Sequence, residues 1–148
     1  MESNQFLNLS DDSTSVQSHL TILQNVIQRM ASNSTACKTL CITLVSAVLV
    51  IVADKGKPDY AYISFLPIIA FTFLDAYYLA LEKSFRTRYD DFINKLHEKK
   101  ITKSDLYFIS PLGKLKKHIV GAVMSPSIWF FYVSLLALAL MTKKILLG

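Results

Sequence analysis

The sequence predicts an all-α integral membrane protein with three transmembrane helices plus amphipathic cytoplasmic helices, and three observations predict it. First, there are three long apolar stretches: Thr39–Ala53, Tyr60–Leu81 with Asp75 as its single charge, and Ile119–Met141 with none. A helix needs about 20 mainly apolar residues to cross a bilayer core of roughly 30 Å. Second, the chain of 148 residues is 52% hydrophobic and 18% charged, and its apolar residues fall in blocks. A soluble helical core would space them periodically and surround them with a larger polar shell. Third, the charge is uneven: ten Lys/Arg and five Asp/Glu lie between Glu82 and His118.

That third observation sets the expected sidedness. Basic loops stay in the cytoplasm, so residues 82–118 are expected inside. The first two spans then form a hairpin with a cytoplasmic N-terminus, and the third carries the C-terminus to the periplasmic or extracellular side of the membrane. Twelve Lys/Arg fall inside and four outside, with Lys143 and Lys144 mildly opposing this arrangement. The polar, acidic start (MESNQFLNLSDDST) has no basic or apolar leader character, so the first span is expected to be retained as an anchor.

Residues 1–14 are expected to be disordered, with Asp12 or Ser13 as a helix cap. Residues 15–33 read as an amphipathic helix, since Val16, Leu20, Leu23, Val26, Ile27 and Met30 recur at helical spacing opposite Gln17, Gln24, Gln28 and Arg29. It is too polar to span, and packing against another helix suits it better than lying on lipid. Ser32-Asn33-Ser34-Thr35 is expected to break it before a transmembrane hairpin over residues 37–82. Lys-Gly-Lys-Pro within Asp54–Asp59 is turn chemistry. Pro67 is expected to kink the second span or leave a carbonyl free. Tyr60, Tyr62, Tyr77 and Tyr78 suit the bilayer edges.

Residues 83–118 read as a basic cytoplasmic helical segment. Phe85, Tyr89, Phe92 and Leu96 form one seam, able to close on the N-terminal helix, and Lys99-Lys100 end it. Thr102-Lys103-Ser104-Asp105 resembles a capping box and is expected to start a short helix. Residues 119–148 read as the third span with an interfacial lead-in over Ile119–Met124. Ser125 caps a helix with Pro126 in its first position, and Trp129, Phe130 and Tyr132 serve as interface anchors.

Asp75 is the first candidate site residue. It lies about 9 Å inside the cytoplasmic end of its span at 1.5 Å per residue, where a carboxylate must face protein or water. A turn centred between Gly56 and Lys57 makes paired positions sum to roughly 113, which sets Asp75 opposite Lys38. An intramembrane pair of Asp75 and Lys38 is therefore expected, with Thr39, Thr43 or Thr72 as secondary partners. It acts either as a gate or ion-sensing carboxylate, or as a structural lock on hairpin register. Lys83, Arg86, Arg88, Lys99, Lys100, Lys114, Lys116 and Lys117 are candidate contacts for anionic lipid or a partner. With two Arg against eight Lys and no Gly-rich loop, phosphate recognition is poorly matched, and nucleic acid is not an expected partner.

Catalysis is not expected. His19, His97 and His118 have no metal-ligand spacing, no nucleophile elbow is present, and Asp90-Asp91 point apart on a helix. No cofactor or metal is expected. Cys37 and Cys41 share one helix face as small packing residues. The tripeptides Asn8-Leu9-Ser10 and Asn33-Ser34-Thr35 would be chance glycosylation matches in the cytoplasm. Ser46-Ala47, Ser134, Ala137 and Ala139 permit close helix approach and hence self-association.

The Val16–Met30 periodicity, the Asp54–Asp59 turn and the Phe85/Tyr89/Phe92/Leu96 seam fall in the order amphipathic helix, short-turn hairpin, cytoplasmic helix. This architecture resembles the small SLATT-like transmembrane effector and accessory proteins of bacterial defence systems, over residues 16–100. The third span is an addition to the plain hairpin. The resemblance implies membrane perturbation or pore formation, triggered by a cytoplasmic partner or nucleotide signal during phage infection, and transfers no binding residue. The expected function is thus an oligomeric membrane effector or accessory subunit that forms or modulates a pore, with Asp75 and Lys38 at its inner mouth. The alternative is a membrane anchor that recruits a soluble cytoplasmic partner; a small transporter ranks third, since no inverted repeat is visible.

Overall fold

The computed structural model describes residues 13–113 and 115–147. Among the described residues, four α-helices and one 3-10 turn make up the fold: α1 (Thr14–Lys55), a 3-10 turn (Pro58–Ser64), α2 (Phe65–His97), α3 (Leu115–Val123) and α4 (Pro126–Leu147). No strand occurs among the described residues. Three helical segments, in α1, in the 3-10 turn with α2, and in α4, are long and apolar enough to cross a membrane.

Helix α1 is capped by Ser13, whose hydroxyl accepts the Val16 N–H at 3.4 Å. It then runs 42 residues without Gly or Pro, about 63 Å at 1.5 Å per residue. The expected break at Ser32–Thr35 does not occur, so residues 15–33 and the first span are one rod. The hydroxyls there are used within the fold: Thr35 Oγ1 donates to the Ala31 carbonyl at 3.2 Å, and Ser34 turns inward to α2. Gly56, at φ 60°, ends the rod in a left-handed cap that bonds back to Ala53. Residues 1–12, including the candidate cap Asp12, lie outside the described residues.

Pro67 sits in the first turn of α2, where a missing N–H costs nothing, so α2 carries no proline inside its later turns. Its carbonyl is used instead by Cys41 Sγ at 3.8 Å. The apolar seam continues past Leu81 as expected, and α2 ends at His97 with Lys99 in the left-handed region.

The buried face of α1 comprises Val16, His19, Leu23, Met30, Ser34, Cys37, Cys41, Val45, Leu49 and Val52, spaced by three, four or seven. It meets α2 along its length, and three clusters result. Val16, Phe92, Leu96 and Ile101 close the far polar end; Leu23, Met30 and Phe85 fill the middle; Cys41, Val45, Ile68, Ala76, Tyr132 and Leu135 join α1, α2 and α4. Outside the third cluster, large side chains stand exposed, among them Leu66 at 77%, Phe130 at 79% and Ile145 at 79%. Such an extended exposed apolar belt is what a water-soluble monomer avoids.

Two expectations for residues 83–118 are corrected. The segment is helical only to His97 and again from Leu115. Thr102–Asp105 forms its box, with Asp105 accepting the Thr102 N–H (3.0 Å) and hydroxyl (2.6 Å), yet no helix follows. Tyr107 takes a φ of 61°, and the chain is drawn back along α2 by three bonds: Arg88 to the Ser110 carbonyl and hydroxyl (both 3.2 Å), and Ser84 to the Leu112 carbonyl (2.7 Å). These bonds compete successfully with helical ones. Helix α3 then packs on α2, and Met124 and Ser125 separate it from α4, whose first residue is Pro126.

Candidate functional site

Asp75 is 0% exposed, and it is held where α1 and α2 cross from their polar to their apolar halves. Lys38 Nζ lies 2.6 Å from Asp75 Oδ2. Ser34, one turn before Lys38 on α1, donates its hydroxyl to Oδ1 at 2.5 Å and receives a hydrogen bond from Lys38 at 3.3 Å. No aligned donor reaches Oδ2 among the described residues, so proximity of the ammonium is what compensates that oxygen. The structure thus brings Asp75 and Lys38 together.

The secondary partners differ from those expected. Thr39, Thr43 and Thr72 donate to carbonyls four residues back on their own helices, at 3.2, 2.8 and 2.6 Å. Ser34 takes their place. It is the buried hydroxyl on the Lys38 face, and the hairpin register sets it one turn from Asp75, a signal hidden by reading Ser32–Thr35 as a break. The third helix also reaches the site: Tyr132 is buried and donates to the carbonyl of Phe71, one turn before Asp75 on α2, at 3.1 Å. Cys37 and Cys41, both buried free thiols, flank the pair on α1.

Lys38 keeps its side chain 20% exposed, and it borders a groove of about 680 Å³ between α1 and α4 lined by Ile42, Ser127, Phe130, Phe131 and Ser134. The carboxylate itself does not reach this groove's open side. Chemically, the arrangement is an ion pair locked between two helices, with a phenol of a third beside it. It holds no group of three His, Cys, Asp or Glu suited to a metal among the described residues.

Several of the basic candidates are engaged within the fold. Lys83 donates to the Gly121 carbonyl at 3.2 Å; Arg86 pairs with Glu82 at 2.8 Å; Arg88 binds Ser110 and stacks 5.0 Å over Phe108; Lys100 pairs with Glu98 at 2.8 Å. Lys99 and Lys117 are exposed. Lys114 lies outside the described residues, and of Lys116 only the backbone is described. At the far end of the apolar helices, Lys143 binds Asp59 at 3.0 Å and the Tyr62 hydroxyl at 2.7 Å, tying α4 to the 3-10 turn. Its sequence gave no periodic signal, because the partner lies 84 positions away.

Protein-family models, curated proteins and solved structures were compared with the chain, and none matches it.

Proposed function

We propose that this chain is a multi-pass protein of the bacterial inner membrane that works as an oligomeric effector or accessory subunit, perturbing the bilayer or forming or modulating a pore. The polar halves of α1 and α2 stand in the cytoplasm and receive a partner or signal; the apolar halves and α4 sit in lipid. One observation carries this reading: α1 and α2 run unbroken from polar to apolar halves, joined at the junction by Lys38 and Asp75. A displacement of the polar ends is therefore transmitted along rigid helices to the apolar ends. The resemblance to SLATT-like effectors adds the defence context. In a single copy Asp75 is sealed, so permeation requires several copies and a change in this pair.

The test is membrane potential in cells producing the protein, with and without phage infection. Depolarisation that Asp75→Ala abolishes or makes constitutive supports the reading. No change of potential for either protein under either condition overturns it.

The second reading, an anchor for a soluble partner, is favoured by Tyr107, Phe108 and Ile109, which are exposed on the polar half of the molecule. Recovery of one stoichiometric partner with a monomeric protein, and an unchanged potential, supports it.

A further inference from the structure

His19 is the largest polar side chain sealed in the polar half of the molecule, at 0% exposure. Its Nδ1 accepts the backbone N–H of Tyr107 at 2.9 Å. An accepting Nδ1 puts the proton of the neutral ring on Nε2, which is buried without a partner among the described residues. The ring also contacts Phe92, with centroids 4.4 Å apart, and the edge of Tyr107 at 6.3 Å. Tyr107 holds a φ of 61°, a left-handed conformation that a residue with a side chain adopts only at a cost. The His19 bond is what fixes its N–H there.

We propose that His19 is a proton-operated latch: its neutral imidazole closes the 101–113 segment over the polar end of the α1–α2 hairpin, and its protonation releases that segment. With a proton on Nδ1, two N–H donors face each other across 2.9 Å, and the Tyr107 bond cannot form. The second proton also makes a buried cation whose Nε2–H remains unpartnered. The ring gains an acceptor or water for either nitrogen only if the segment moves away.

The surrounding charges favour the closed state near neutrality. Arg88 of α2 repels an imidazolium. Asp105 of the segment attracts it, but that carboxylate is already engaged by Thr102 and by Lys95 (2.9 Å), which in turn pairs with Asp91 at 3.2 Å. Burial, then Arg88, push the His19 pKa below its ordinary 6.5, against the opposing pull of Asp105. The closed state is therefore fully favoured above pH 6.5 and loses that advantage as pH falls from 6.5 through the folded value. Release uncovers Ile101 and Leu106 and the residues they cover, Val16, Phe92 and Leu96, so acidification turns a closed polar end into an apolar one. The chain holds two further histidines, His97 and His118, so the test isolates His19 by substitution.

The experiment is backbone amide exchange of the full chain in detergent micelles at pH 7.5 and 5.0, corrected for the intrinsic pH dependence of exchange. In the wild-type chain, protection over residues 101–109 falls about tenfold for each pH unit between 6.5 and the lower value of the closed state, and levels off below it. His19→Asn keeps an acceptor at the Nδ1 position for Tyr107 but cannot titrate, and its protection is the same at both pH values. Equal wild-type protection at both values, or an unchanged pH dependence in His19→Asn, overturns the latch. Should His19→Asn fail to fold, imidazole nitrogen shifts of the wild-type chain decide. A neutral ring protonated on Nε2 that titrates in step with Tyr107 exchange supports the proposal; an Nδ1-protonated ring, or titration without loss of protection, overturns it.

Discussion

Lys38 and Asp75 close on each other at 2.6 Å from two different long helices, and the carboxylate is completely removed from solvent. Taking one partner away strands the other charge in an apolar setting, which costs about 3–5 kcal/mol, whereas replacing both with apolar residues of similar volume is neutral or better. Lys38→Met and Asp75→Leu are each expected to lower thermal stability in detergent, followed through the single Trp129, while the double variant returns to or above wild type. If the single variants unfold with the wild type, the pair does not hold the hairpin.

Ser34 gives the same carboxylate its one aligned hydrogen bond among the described residues. Ser34→Ala leaves Oδ1 buried without a donor, and the expected loss is about 1–3 kcal/mol. Combined with Asp75→Leu, the Ser34→Ala change has no acceptor to strand, so the two effects do not add. A chemical-denaturation cycle in detergent measures this coupling; strict additivity would show that Ser34 acts elsewhere.

Asp105 titrates in a different window from His19. Burial raises its pKa, but the Thr102 hydroxyl, Lys95 and the Thr102 N–H outweigh burial, so the net value lies below the ordinary 3.8. A depressed carboxylate contributes stability that is present above the ordinary value and is lost as pH falls through the folded one. Asp105→Asn is therefore expected to lower amide protection at Thr102 and its neighbours at pH 7. The wild-type chain loses the same protection only below pH 3.8. Identical exchange of the two proteins at pH 7 would dismiss the carboxylate as a clasp.

What the sequence revealed, and what it hid, follows from interaction range. Lys38 and Asp75 were legible because a short turn with Gly56 and Pro58 fixes which residues of an antiparallel helix pair face each other. The seam of Phe85, Phe92 and Leu96 was legible because helical periodicity is local. Tyr132 beside the site, Lys143 on Asp59 and His19 on Tyr107 were not, since each partner arrives through an irregular or separate segment whose path no spacing encodes. The Ser32–Thr35 stretch misled for a different reason. Four small polar residues weaken a helix only slightly by propensity, and an inward hydrogen bond from Ser34 reverses that preference.

The continuity of α1 through those residues leads to a final expectation that separates coupling from folding. Asn33 lies half-buried one residue before Ser34, inside the uninterrupted helix. Asn33→Pro removes one backbone hydrogen bond and kinks the rod, at a cost of about 3 kcal/mol or more, while Asn33→Ala improves local helix propensity by less than about 1 kcal/mol. Should the unbroken rod carry displacement from the polar half to the apolar half, Asn33→Pro severs control by the polar half of the depolarisation proposed above, at protein levels where Asn33→Ala preserves it. Label pairs spanning residue 33, read by electron–electron distance, report the kink directly; a straight rod in Asn33→Pro, or a kinked rod with full control, would remove α1 as the path of transmission.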